Sequence, residues 1–134
     1  MILCSGCFDG LHAGHVAYLK AAAVLKRPGE VLLVSVAPDD YIKHVKLRGI
    51  RWTQAQRSEV VQAIRDVDEV YRDPNMSIAT TISMYSPNYF VKGSEWRNKL
   101  PADVQSACKK VDCQIVYVEM VPVAHNSEHD PRRL

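Results

Sequence analysis

The sequence predicts an α/β domain in which a doubly wound, parallel, five-stranded sheet carries helices on both faces. Three observations predict it. Short apolar runs alternate with helix-patterned segments along most of the chain. The run at residues 31–36 is almost wholly Val and Leu, as in a strand covered on both faces. A glycine-bearing turn follows the first run, at the carboxyl edge where such sheets bind ligands.

The elements follow in order. Residues 2–5 form an apolar run stopped by Gly6, a buried strand. Residues 14–26 carry apolar side chains at helical spacing among strong helix formers, and Pro28-Gly29 ends the helix. Residues 31–36 are a strand of Val and Leu with Ser35 as its one polar residue. A polar stretch with Pro38, Asp39 and Asp40 leads into a basic segment, 43–51. Thr53 is an N-cap for a helix reaching Arg65, with Val60, Val61 and Ile64 as its apolar stripe. Residues 67–71 read as the third strand, 76–85 as a helix and 89–91 as the fourth strand, which Lys92-Gly93 ends. Pro101 opens a helix to about Lys110, and residues 115–118 are the fifth strand.

Composition narrows the function. The 134 residues, 47% apolar, suit a single domain over 1–134, with an atypical tail from about residue 122. Seventeen basic and fifteen acidic residues leave a net charge of +2, too balanced to indicate a nucleic-acid or membrane partner. No run approaches the roughly eighteen apolar residues that span a bilayer. The first ten residues, MILCSGCFDG, do not read as a secretory signal, so the cytoplasm is the expected compartment. Cys4 and Cys7 form a C-x-x-C, but Cys108 and Cys113 are a looser and distant pair. Buried, reduced thiols are expected rather than a zinc site.

The chemistry concentrates in Gly6-Cys7-Phe8-Asp9-Gly10-Leu11-His12-Ala13-Gly14-His15. Gly6, Gly10 and Gly14 let backbone approach a ligand. A helix beginning near Gly14 offers N–H groups and the positive end of its dipole to an anion. His12 and His15, three residues apart, can point to one side and donate to phosphate oxygens.

This string matches G-x-F-D-x-x-H-x-G-H and resembles the signature of the cytidylyltransferase-like nucleotidyltransferases. The likeness extends over roughly residues 1–120, through Lys43 to Arg48, Gln56-Arg57, Val67 to Val70, and Tyr89 to Trp96. The resemblance implies a Rossmann-like fold and transfer of a nucleoside monophosphate from ATP or CTP to a phosphorylated sugar or polyol, releasing pyrophosphate. It implies catalytic roles for His12, His15 and Lys46. It places Gly6, Cys7, Phe8, Asp9, Gly14, Arg57, Lys92, Gly93 and Ser127 at the nucleotide, and Lys43 and Trp96 at the second substrate. Mg²⁺ is the implied cofactor, with Asp9 either orienting it or shaping the loop. A homodimer is implied, and neither nucleic acid nor membrane.

Gly-Cys-Phe-Asp-Gly-Leu-His-Ala-Gly-His together with Val-Lys-Gly resembles the adenylyltransferases that act on a heptose phosphate. Trp96 and the following Asn98-Lys99 are more similar to glycerol-3-phosphate cytidylyltransferases. The tail departs from the family's Ser/Thr-rich second signature: only Ser127 offers a hydroxyl, and Glu128 brings negative charge. Arg132 and Arg133 in place of the usual contacts, a longer natural chain and weakened catalysis all fit this departure. A regulatory protein that binds nucleotide without turnover is the alternative from another class.

Overall fold

The structure, a computed structural model, describes residues 1–119. Five parallel strands form one sheet: β1 (Ile2–Gly6), β2 (Leu32–Val36), β3 (Glu69–Arg72), β4 (Tyr89–Gly93) and β5 (Gln114–Val118). Their order is β3-β2-β1-β4-β5, so the chain starts in the middle, winds outward to β3, and crosses back to β4. The helices are α1 (Ala13–Ala23), α2 (Asp39–His44), α3 (Gln54–Gln62), α4 (Ile78–Tyr85) and α5 (Ala102–Lys110). One 3-10 turn, Ser94–Trp96, follows β4. The doubly wound parallel sheet read from the sequence is the observed fold.

Strand pleating divides the core. Ile2 and Cys4 of β1, with Leu32, Val34 and Val36 of β2, face α1 and α3 and pack with Leu19, Ala22 and Val61. Leu3, Leu33 and Phe90 face the other way, against Ile82 of α4 and Val104, Ala107 and Cys108 of α5. The central strands are therefore sealed on both sides, which explains their largely apolar runs.

Several local expectations shift. The segment after Pro38 folds as the six-residue α2 instead of an irregular polar stretch. The third strand begins at Glu69, with Val67 buried just before it. On α3, Val61 is buried but Val60 is half exposed, because Arg57 and Ser58 occupy the inner face that the predicted stripe gave to Val60. All four cysteines are free thiols; Cys4, Cys108 and Cys113 are buried and Cys7 is partly exposed.

Candidate active site

The strand order reverses between β1 and β4, and a cleft of about 720 Å³ opens there at the strands' carboxyl ends. The β1–α1 turn forms one wall. Gly6 ends β1, and a Cβ on it would stand 3.0 Å from Cε2 of Phe8. Phe8 adopts a left-handed φ of 52° and buries its ring over that glycine. The ring lies 5.5 Å from the imidazole of His15.

His12 is the N-cap of α1, and the two histidines form a capping box. Nδ1 of His12 accepts the Gly14 N–H at 3.0 Å, and Nδ1 of His15 accepts the His12 N–H at 3.1 Å. Each neutral imidazole therefore carries its proton on Nε2. Both rings line the cleft, with centroids 4.0 Å apart. Burial, reinforced by His12, holds the His15 pKa down to about 4, so this ring is neutral at pH 7 and donates through Nε2–H. Gly14 itself is buried, with its N–H given to His12 rather than left for a ligand.

Cationic side chains face the histidines. Lys46 and Arg48 reach the cleft from the loop after α2, and Lys92 rises from β4. Lys92 Nζ lies 3.4 Å from both the carbonyl and the hydroxyl of Ser5. Burial lowers its pKa to about 8 although nearby Cys4 and Glu95 favour the charged form. Both lysines lie near the ring of Trp96: Lys92 Nζ is 4.8 Å and Lys46 Nζ 5.9 Å from its centroid. Cys7 and Gly93 also line the cleft. Burial raises the Cys7 thiol's pKa despite the neighbouring Lys46, so the thiol stays protonated at neutral pH.

Three of the expected site residues are held differently from the rest. Arg57 does not line the cleft. Its guanidinium is buried and donates to the carbonyls of Trp52, Cys7 and Ala37 and to the Asp39 carboxylate, at 2.7–3.0 Å. Four of its five N–H groups are thus engaged inside the protein. Lys43 points to solvent from the last turn of α2, outside the cleft lining. Asp9 lines the cleft and accepts N–H bonds from Arg48, Arg51 and Trp52 at 2.7, 3.1 and 3.0 Å, the contacts that the loop-shaping alternative of its two expected roles requires. Ser127 and the rest of the atypical tail lie outside the described residues.

Among the described residues, neither Asp9 nor Asp73 is free to hold a resident Mg²⁺. Asp9 is occupied by N–H donors, and the Asp73 carboxylate is buried among Ser35, Thr81 and Asn75. Among the described residues no group of three or more His, Cys, Asp or Glu side chains converges. Sequence reasoning missed this Asp73 cluster, which braces the wall after β3. It also missed Tyr18, which joins β1 and β4 by accepting the Ser5 N–H and donating to the Val91 carbonyl. A buried Asp and Tyr give no periodic signal. Their partners are set by the sheet order.

A family model described as cytidylyltransferase-like matches residues 3–130. The chain belongs to the cytidylyltransferase-like family of nucleotidyltransferases. This member is 39% identical over 99 residues to the bifunctional protein HldE of Coxiella burnetii (strain RSA 493 / Nine Mile phase I), an alignment covering 72% of this chain and 20% of that protein. It is 38% identical over 98 residues to the bifunctional protein HldE of Shewanella sediminis, with the same coverage. The chain thus spans about a fifth of the length of these curated relatives. Family and relatives support a nucleotidyltransferase. Among solved structures, the lipopolysaccharide core biosynthesis protein from Thermoplasma volcanium superposes with a TM-score of 0.66 at 24% identity, covering 89% of this chain and 93% of that one. A protein of unknown function from Archaeoglobus fulgidus gives 0.66 at 18% identity, covering 92% of each chain. At these identities the likeness concerns the fold. No helix among the described residues is long and apolar enough to cross a membrane.

Proposed function

We propose that this cytidylyltransferase-like chain is a sugar-phosphate adenylyltransferase. An oxygen of the acceptor's phosphate attacks the α-phosphorus of ATP in line. A new P–O bond forms, the bond to the bridging oxygen breaks, and pyrophosphate leaves with the electron pair. The protein does little covalent work in such a reaction; it positions two anions and stabilises the charge that builds between them.

One observation carries the reading: two imidazoles with Nδ1 tied to backbone amides offer Nε2–H donors to a cleft that also receives Lys46 and Lys92. His12 and His15 donate to the α-phosphate and the departing pyrophosphate, and a phosphate beside His15 favours its protonated form as charge develops. Lys46 and Lys92 neutralise the phosphates, with Gly6, Cys7, Phe8 and Gly93 shaping the nucleotide's seat. Trp96 flanks the substrate. The preference for ATP and a sugar phosphate rests on the likeness of the β1–α1 turn and the Val91-Lys92-Gly93 string to heptose-phosphate adenylyltransferases.

Pyrophosphate release tests the proposal. ATP and CTP are each offered with a panel of sugar and polyol phosphates. Release with ATP and an aldose phosphate is expected, and His12→Ala should lower it by about 10²–10³-fold. Turnover with CTP and glycerol 3-phosphate instead would move the assignment to a polyol-phosphate cytidylyltransferase. Tight nucleotide binding without release from any pair would make the chain a non-catalytic binder.

A further inference from the structure

Between α2 and α3, residues 45–53 form neither helix nor strand, yet they bring Lys46 to the cleft. The start of this segment is bonded to the end of α2, where the Lys46 and Arg48 N–H groups donate to the carbonyls of Tyr41 and Ile42 at 3.2 and 3.4 Å. Beyond that, three sets of side-chain contacts lead back to the β1–α1 turn. The Asp9 carboxylate, with no exposed side-chain surface, accepts the Arg48 guanidinium at 2.7 Å and the backbone N–H groups of Arg51 and Trp52. Gly10, at φ 117°, leaves room for the Arg51 guanidinium, whose Nη1 would stand 3.1 Å from a Cβ there. From below, Arg57 joins the carbonyls of Cys7 and Trp52 through one guanidinium.

The consequences for the two cations differ. Arg48 is engaged by Asp9, whereas Lys46 has the indole of Trp96 for company. Leu47 sits between them in a left-handed conformation, φ 56°, so fixing Arg48 also fixes the direction in which residue 46 leaves the backbone. A carboxylate offers about four lone-pair sites, and three are filled by N–H donors. Burial pushes the Asp9 pKa up, but the bonds from Arg48, Arg51 and Trp52 outweigh it and hold the carboxyl below its usual range.

We propose that Asp9 is a positioning residue that acts on phosphate transfer through Lys46, by latching segment 45–53 onto the β1–α1 turn. The inference rests on the phosphate-binding role proposed for Lys46. It differs from a role for Asp9 at a metal or at the substrate itself.

Asp9→Asn keeps the size and one acceptor oxygen. It removes the charge that faces Arg48 and sets an N–H₂ group against a backbone donor. In a double-mutant cycle on kcat/KM, Asp9→Asn should cost about tenfold in the wild-type background, and less than about twofold when Lys46 is already Ala. The Mg²⁺ concentration giving half-maximal rate should not move. Equal losses in both backgrounds, or a several-fold rise in the Mg²⁺ requirement, would mean that Asp9 acts directly and would overturn the proposal. A second arm needs no turnover. Amide hydrogen exchange across residues 45–53 should quicken in Asp9→Asn, while β1 and β2 stay protected as in the wild type. Unchanged exchange there sinks the latch. A wild-type protein that releases no pyrophosphate with any nucleotide brings down the proposed function instead, and exchange then decides the latch alone.

Discussion

His12 and His15 show how a local capping motif becomes a chemical device. Serine or threonine at an N-cap satisfies helix N–H groups with a hydroxyl. Imidazoles do the same with Nδ1 and keep a second, oriented donor in reserve. The arrangement has a pH signature. The folded His15 pKa, about 4, lies below its usual 6.5. The unfolded state therefore binds the extra proton first, and stability present above pH 6.5 is lost as pH falls towards 4. His15→Gln should flatten the drop in Tm between pH 6.5 and 4 relative to the wild type, as measured by thermal melts; parallel curves would contradict the burial of the ring. Lys43 and Lys46 give a contrast among the basic residues. Lys43→Ala should leave kcat/KM within about twofold, because its ammonium lies in solvent. Lys46→Ala should cost tenfold or more in the same assay, of the order seen when a charged phosphate contact is lost.

At the scale of elements, the turn after β1 works because Gly6 yields its side-chain space to the ring of Phe8. Gly6→Ala would push that ring, 3.0–3.1 Å from the new Cβ, out of its pocket. An overpacking loss of about 1–3 kcal/mol is expected by urea denaturation, together with weaker nucleotide binding. The strands, the caps and this turn were legible in the sequence, because each is written in a short window: apolar runs, Thr53 before a helix, glycines beside a histidine pair. Thr53 does cap α3, accepting the Gln56 N–H at 3.3 Å. Helix α2 was not legible, since six residues with one buried apolar side chain, Ile42, carry too little periodicity. The partners of Arg57 and Asp9 were also hidden. A buried guanidinium that collects three carbonyls and a solvent-facing one that collects phosphate have the same one-letter code. What separates them is where β1, β2 and α3 meet.

For the whole molecule, the order β3-β2-β1-β4-β5 decides where ligand binding is felt. The cleft gathers residues from β1, β2 and β4 and from the loop after β3, so a bound nucleotide ties together segments distant in sequence. ATP at a hundred times its Kd should stabilise the fold by about 2.7 kcal/mol, read as a rise in Tm. Lys92→Met, similar in length but uncharged, should remove most of that rise while leaving the melting of the ligand-free protein cooperative. A full rise in that variant would show that the nucleotide sits elsewhere.

Trp96 adds a last point. Two ammonium groups lining one pocket ordinarily push each other apart. Here each rests on the electron-rich surface of one shared indole, 4.8 and 5.9 Å from its centre. The pair waits at a neutral berth, close enough that an incoming triphosphate finds both charges already mustered.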